Sequence, residues 1–256
     1  MKNDTHQKKR QNKNKIAPVS AVSVQEEDHV ILPVLRSEFN LLKYPFFDLT
    51  TEGERDTIEV KKNMVGKEGK AELFWKVIRS IEYGFPSAFD KKLYRTVEQI
   101  INKLIKPIQN PIRLGSLRDL CRLMEIKISG NNANRIKDSL KKIVVTSIES
   151  KGSFYLKGEK MHVDDTFHLY ERVVFTGEKL EDGTEADGVY LFLGSYYLQN
   201  INNSYVVPLD FDFYKSLRGN IAPRMYEYIG LMFYAAIERK KEMVRLSVDQ
   251  FLVLKN

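Results

Sequence analysis

The stretch "SLRDLCRLMEIKISGNNANRIKDSLKKI", from Ser116 to Ile143, determines the fold that this sequence predicts. Ser116 and Asp119 form a capping pair at the start of a short helix. The residues Ser129-Gly130-Asn131 then favour a tight turn, and a second amphipathic helix follows it. Two helices joined by so short a turn predict a helix-turn-helix. Their buried sides are expected to consist of Leu117, Leu120, Cys121 and Met124 in the first helix, and Ala133, Ile136, Leu140 and Ile143 in the second.

The flanking sequence extends this motif on both sides. Upstream, Asp90 is a predicted N-cap, and apolar residues recur behind it at helical spacing until Pro107. Downstream, "VVTSIESKGSFYLKGEKMHV" alternates as a β-hairpin does, with turns expected at Lys151-Gly152 and Lys157-Gly158. Three helices followed by a hairpin predict a winged helix-turn-helix. Because aromatic and β-branched stretches precede it between residues 38 and 80, the predicted class is α+β.

A second copy of this unit is predicted near the end of the sequence. At a constant offset of 132 residues, the apolar positions of the helix after Asp90 match those of a helix around Tyr226, Ile229, Phe233 and Ile237. Val248 and Phe251 are expected to pack on that second helix. We therefore predict tandem winged helices, the second incomplete at its C-terminus. The expected division is a disordered basic arm at 1–34, a first winged helix at 35–178, a long loop or linker at 176–188 and the truncated second copy at 189–256.

Positive charge is concentrated in two parts of a chain with a net charge of +7. Residues 1–15 carry a net charge of +5 and lack an apolar face, so they are expected to be disordered. Residues 91–142 hold 13 basic and 4 acidic side chains, a net charge of +9, whereas residues 16–90 and 143–256 are each net acidic. A basic segment of this kind indicates a polyanionic partner.

The second helix of the motif carries the side chains that DNA recognition requires. Its outward face is predicted to hold Asn131, Asn134, Arg135 and Asp138, which we assign to base reading. Asn and Arg pair bidentately with adenine and guanine edges, and lysines neutralise phosphates. The partner is therefore predicted to be double-stranded DNA. The predicted phosphate contacts are Lys141, Lys142, Arg113, Lys151 and Lys157.

Other functional classes find little support in the sequence. A single cysteine excludes an internal disulfide framework, and no early apolar run resembles a signal peptide, so a cytoplasmic protein without a membrane segment is expected. His162 and His168 are six residues apart, which does not suit the alternate strand positions of paired metal-binding histidines in a nicking enzyme. The acidic "EDGTEADG" at 181–188 does not have calcium-loop spacing. We predict neither catalysis, nor a metal, nor a cofactor.

Three further stretches resemble a known family. "YGFPSAFD" at 83–90, "VVPLDFDFYKSLRGNIAPRMYEYIG" at 206–230 and "LLKYPFFDL" at 41–49 are similar to signature stretches of the plasmid replication initiator protein A family. The resemblance spans roughly residues 37–256. It implies a bacterial initiator that binds repeated sites in origin DNA through winged-helix domains and brings in host replication initiator and helicase proteins. Many such proteins also repress their own gene as dimers, which makes a homodimer an expected state.

Two alternatives remain open at this point. One is a winged-helix transcriptional regulator with no replication role, which an origin with repeated sites beside the gene would exclude. The other is a protein-interaction scaffold whose basic face is incidental, which salt-dependent binding to duplex DNA would exclude.

Overall fold

A computed structural model of the protein describes residues 34–49, 55–66 and 69–240, in which helices and strands are interspersed. This mixture confirms the predicted α+β class. Residues 1–33 of the arm predicted at 1–34 lie outside the described residues, whereas Val34 begins a strand. The segment after residue 240, with Val248 and Phe251, also lies outside them. In chain order, the elements are β1 (Val34–Glu38), α1 (Phe39–Lys43), β2 (Thr57–Gly66), β3 (Gly69–Ile78), α2 (Ala88–Asn102), β4 (Ile112–Gly115), α3 (Leu117–Leu123), α4 (Gly130–Val145), β5 (Ser147–Leu156), β6 (Met161–His168), β7 (Tyr170–Val174), β8 (Val189–Leu193), α5 (Ser195–Asn202), β9 (Val206–Asp210), α6 (Phe211–Ser216) and α7 (Ile221–Glu238).

Helix α2 begins earlier than the sequence predicted. Ser87 is the N-cap, and Asp90 closes a capping box by accepting a 2.6 Å hydrogen bond from the Ser87 backbone N–H. The prediction of Asp90 as the N-cap was therefore wrong by three positions. Leu93 and Val97 are fully buried, as the helical spacing indicated.

The two helices predicted from Ser116 to Ile143 are α3 and α4. Ser116 and Asp119 cap α3 reciprocally, with the Asp119 N–H 3.2 Å from the Ser116 hydroxyl. The turn lies earlier than expected, at residues 124–129, because Ser129 is the N-cap of α4 and accepts a 3.2 Å hydrogen bond from the Asn132 N–H. The predicted apolar side of α4 is buried through Ile136, Leu140 and Ile143.

The hairpin predicted after α4 is formed by β5 and β6. It belongs to an antiparallel four-stranded sheet with the order β2-β3-β5-β6. The turn at Lys157-Gly158 is confirmed, whereas Lys151-Gly152 lies within β5 at a break in strand register. Gly152 has a φ of +64° there, so a bulge, rather than a turn, explains the glycine.

Residues 176–188, which the sequence predicted to be a long loop or a linker, connect neighbouring strands. A second sheet has the order β4-β8-β7, in which β7 and β8 are antiparallel partners and β8 also pairs with β4. The segment is therefore the loop of a hairpin. The described residues form one unit, and the boundary predicted between 178 and 189 falls inside this sheet.

The last described part of the chain packs against its first described strand. β1 and β9 form an antiparallel pair in which Leu35 lies opposite Leu209. A separate apolar cluster surrounds this pair and includes residues of α1, α6 and α7. The cluster consists of Leu35, Leu42, Val207, Leu209, Phe211, Tyr228 and Leu231.

Helix α7 is the helix that the sequence predicted around Tyr226, but the face that it buries is not the predicted one. Phe233 and Ile237, predicted to lie on the buried side, are 57% and 74% exposed. The face that packs inward carries Leu231 together with the charged residues Arg224 and Glu227. Glu227 is buried on this face because it forms ion pairs with buried cations of α2.

Five charged side chains form a buried cluster between α2 and α7, which we call the ionic cluster: Lys91, Arg95, Glu98, Arg224 and Glu227. Glu227 accepts from Lys91 Nζ at 2.9 Å and from Arg95 Nη2 at 2.7 Å, and Arg95 also pairs with Glu98. Burial alone would raise the pKa of Glu227, but Arg95 and Lys91 lower it to about 2. These ion pairs fasten α7 to α2.

Candidate nucleic-acid interface

The outward face of α4 is exposed where the sequence placed the base-reading residues. Asn131, Asn134, Arg135 and Asp138 are all exposed, and Lys141 is exposed one turn further on. The opposite side of the helix is anchored in the main core. This arrangement presents two amides, a guanidinium, a carboxylate and an ammonium on one accessible helical surface.

One flank of this surface is formed by the start of α2. The guanidinium of Arg135 lies 3.7 Å from the centroid of the Phe89 ring, a close cation–π contact. Stacking on the ring restricts the rotamers of Arg135 and leaves the planar edge of the guanidinium available for bidentate hydrogen bonds.

The loop before α2 lies on the same flank. The Gly84 N–H donates to the Ser80 carbonyl at 2.9 Å, and Gly84 has a φ of +71°, so the loop closes as a tight turn. Partial desolvation raises the pKa of Tyr83, and the charges of Glu82 and Asp138 raise it further. The influence of Asp138 indicates that this turn lies close to the exposed face of α4.

The other flank is formed by Phe175, the residue that follows β7. Lys137 Nζ and Lys141 Nζ lie 5.5 Å and 6.0 Å from the centroid of the buried Phe175 ring. Phe89 and Phe175 therefore support cations on opposite sides of the helix. Neither aromatic residue, nor Lys137, was among the predicted site residues, although Phe89 lies within the "YGFPSAFD" stretch.

Lys142, a predicted phosphate contact, turns away from the exposed face. Its Nζ lies 3.2 Å from Asp90 Oδ2, and the two side chains are only 20% and 3% exposed. Because Asp90 is the carboxylate of the capping box of α2, Lys142 joins α4 to the start of α2.

The remaining predicted phosphate contacts lie on three other elements. Arg113 of β4 donates to both carboxylate oxygens of Asp187 at 3.0 Å. Lys151 of β5 is exposed beside Glu149, and Lys157, in the β5–β6 turn, donates to the Ser204 carbonyl at 3.2 Å. The structure thus brings together the α4 residues but engages these three with separate neighbours.

The hairpin loop between β7 and β8 is strongly acidic. Residues 176–188 contain five acidic side chains and one lysine. The loop is ordered by its own hydrogen bonds, including one from the Leu180 N–H to the Thr184 carbonyl at 2.9 Å. A negative loop therefore follows Phe175 directly, next to the basic side of α4.

Neither a metal site nor a membrane-spanning helix is found in the described part of the chain. Within residues 34–49, 55–66 and 69–240, no group of three His, Cys, Asp or Glu side chains is placed to hold a metal ion. Among the helices of that same part, none is both long and apolar enough to span a bilayer.

Comparison with known proteins gives the family. The model of the replication initiator protein A family matches residues 36–253, which is most of the chain. The chain belongs to the replication initiator protein A family. This result confirms the resemblance inferred from the three signature stretches.

The similarity to solved structures is low, with two structures of the protein RctB as examples. A crystal structure of domains 2 and 3 of RctB is similar with a TM-score of 0.48 and 13% identity, covering 85% of this chain and 83% of that one. A second RctB structure of the same domains has a TM-score of 0.41 and 12% identity, with 80% and 70% covered. No curated protein matches this chain.

Proposed function

We propose that the chain is a plasmid replication initiator that binds double-stranded origin DNA at repeated sites through the exposed face of α4. The observation that carries the proposal is the placement of Asn131, Asn134 and Arg135 together on that face. These side chains have the hydrogen-bonding groups that read adenine and guanine in the major groove. Family membership supports the replication role.

The order of elements supports a winged helix-turn-helix as the DNA-binding unit. In this proposal α2, α3 and α4 are its three helices, β4 is its first strand, and β7 and β8 form the wing hairpin. The β4–β8 pairing is the feature that favours this hairpin over β5–β6. Because β8 belongs to this wing, we propose that the second winged helix begins after Leu193 and not at residue 189.

Location, host partners and oligomeric state are proposed from the family resemblance alone. We propose that the protein acts in the cytoplasm without catalysis of its own, helps to recruit host replication initiator and helicase proteins, and forms a homodimer in one of its states. These roles are compatible with a DNA-binding surface confined to one helix and its flanks.

DNase footprinting on DNA that flanks the gene tests the proposal. We expect protection of repeated sites in the wild type, and loss of that protection in Asn134→Ala. Asn63→Ala is the matched control, because Asn63 is an exposed asparagine on β2, outside α4 and its flanks. The proposal is wrong if no repeated site is protected, or if the Asn134 and Asn63 variants behave alike.

A further inference from the structure

A cavity of about 270 Å³ lies where α2 and α3 meet α6 and the start of α7. It is separate from the exposed face of α4. Its apolar lining includes Leu123, Met124, Phe211 and Pro223, and Tyr214 contributes a phenol ring. Phe211 and Tyr214 stack with their centroids 6.0 Å apart. One side of the cavity therefore offers an aromatic and aliphatic surface.

The described residues that line this cavity include four cations and a single carboxylate. The cations are Lys91, Lys92, Arg95 and Lys215, and the carboxylate is that of Glu125, which pairs with Lys215 at 3.1 Å. Lys91 and Arg95 are only 5% and 3% exposed. Anionic ligands are favoured at a site whose buried charges are mainly positive.

The ionic cluster behind the cavity has more cations than carboxylates. Lys91, Arg95 and Arg224 face Glu98 and Glu227, which leaves one positive charge without a carboxylate inside the cluster. Burial lowers the pKa of Lys91 to about 8 even though Glu227 opposes this effect. An anion in the cavity would stabilise the charged form of this lysine.

Lys92 adds a cation that is free to meet a ligand. It is exposed at the cavity, and in the described part of the chain no carboxylate lies within ion-pair distance of its ammonium. The cavity thus combines buried cations, an exposed cation and an aromatic wall. We propose that it binds a small aromatic phosphate, of the chemical class of a mononucleotide.

Isothermal titration calorimetry of the full chain with adenosine monophosphate, adenosine and inorganic phosphate tests the proposal without DNA. We expect saturable binding of adenosine monophosphate, at least about tenfold tighter than that of either fragment, because only the whole ligand meets both the cations and the aromatic wall. The absence of binding, or equal affinity for phosphate alone, would overturn the proposal.

Two variants with opposite expected effects separate the site from general charge attraction. Lys92→Ala removes a cation and should weaken binding by about fivefold to tenfold. Glu125→Gln removes the carboxylate at the rim and leaves Lys215 paired with Asp212 alone, so binding should tighten. Lys103→Ala, at the other end of α2, is the matched control and should change nothing. Equal effects of the Lys92 and Lys103 variants, or weaker binding in Glu125→Gln, would contradict the site.

Discussion

The guanidinium of Arg135 rests on the ring of Phe89, 3.7 Å from its centroid, and this contact joins the exposed face of α4 to the first turn of α2. A side chain held in this way loses less conformational entropy when it binds a base edge than a free arginine does. The contact therefore pre-organises Arg135 for the base reading that we propose.

Substituting the base-reading residues should alter sequence preference. Arg135→Ala or Asn134→Ala is expected to relax selection at one base pair each, at a cost of about 1–3 kcal/mol in binding free energy if the contact is bidentate. Binding-site selection from a random duplex library measures this effect. Unchanged preferences for both variants would rule out α4 as the reading helix.

The two adjacent lysines of α4 should behave differently. Lys141→Ala is expected to reduce the slope of log affinity against log salt by about 0.9, because one phosphate contact is lost. Lys142→Ala should leave the slope nearly unchanged but lower the free energy of unfolding by about 1–3 kcal/mol, because the buried Asp90 loses its cation. Salt titrations and urea denaturation distinguish the two outcomes, and a shared slope change would mean that Lys142 leaves Asp90 on binding.

Neutralising the acidic β7–β8 loop should strengthen duplex binding. Glu181 and Glu185 are exposed, and Phe175 places the start of this loop beside Lys137 and Lys141. Replacing both glutamates with glutamine removes repulsion of phosphate, so affinity should rise most at low salt. Glu72→Gln on β3 is the control. Equal effects of the loop and control variants would place the loop away from the DNA.

Buried Glu38 should give the folded protein a distinctive pH dependence. Burial raises its pKa from 4.5 to about 7, against the hydrogen bonds from Leu41, Asn40 and Asn200 that lower it. A group with a raised folded pKa contributes stability that is complete below pH 4.5 and is lost as the pH rises through about 7. Chemical denaturation between pH 5 and 8 should therefore show a decline that is smaller in Glu38→Gln. An identical decline in both proteins would contradict this assignment.

Removing Glu227 should destabilise the protein severely. Glu227→Gln leaves Lys91 and Arg95 buried without their shared carboxylate, and a loss of about 3–5 kcal/mol in the free energy of unfolding is expected. Glu238→Gln, near the exposed end of the same helix, is the control. Differential scanning calorimetry would show the difference, and similar melting temperatures would mean that water readily replaces Glu227.

The features that the sequence predicted correctly depend on residues close together in the chain. The helical spacing in α2 and α4 reflects which side chains are buried, so Leu93, Val97, Ile136 and Leu140 were identified correctly. The capping pair of Ser116 and Asp119 is also a local device, and it formed as expected. Asn131, Asn134, Arg135 and Lys141 were likewise placed correctly on the exposed face of α4.

Features that depend on distant partners could not be predicted in this way. The pairing of β4 with β8 joins residues far apart in the chain, and nothing in residues 176–188 distinguishes a hairpin loop from a linker. The buried face of α7 was mistaken because Arg224 and Glu227 are residue types that are normally exposed. Lys142 was misplaced for the same reason, since its partner Asp90 lies on another helix.

The pairing of β1 with β9 affects how the chain must acquire its structure on the ribosome. The partners Leu35 and Leu209 are more than 170 residues apart, so β1 leaves the exit tunnel long before β9 exists. At translation rates of about 5–20 residues per second, the nascent strand waits roughly 10–30 s with an unsatisfied edge. Contacts of such long range also slow folding. During that interval β1 is a site at which chaperones, or a neighbouring nascent chain on the same polysome, would compete with the native partner.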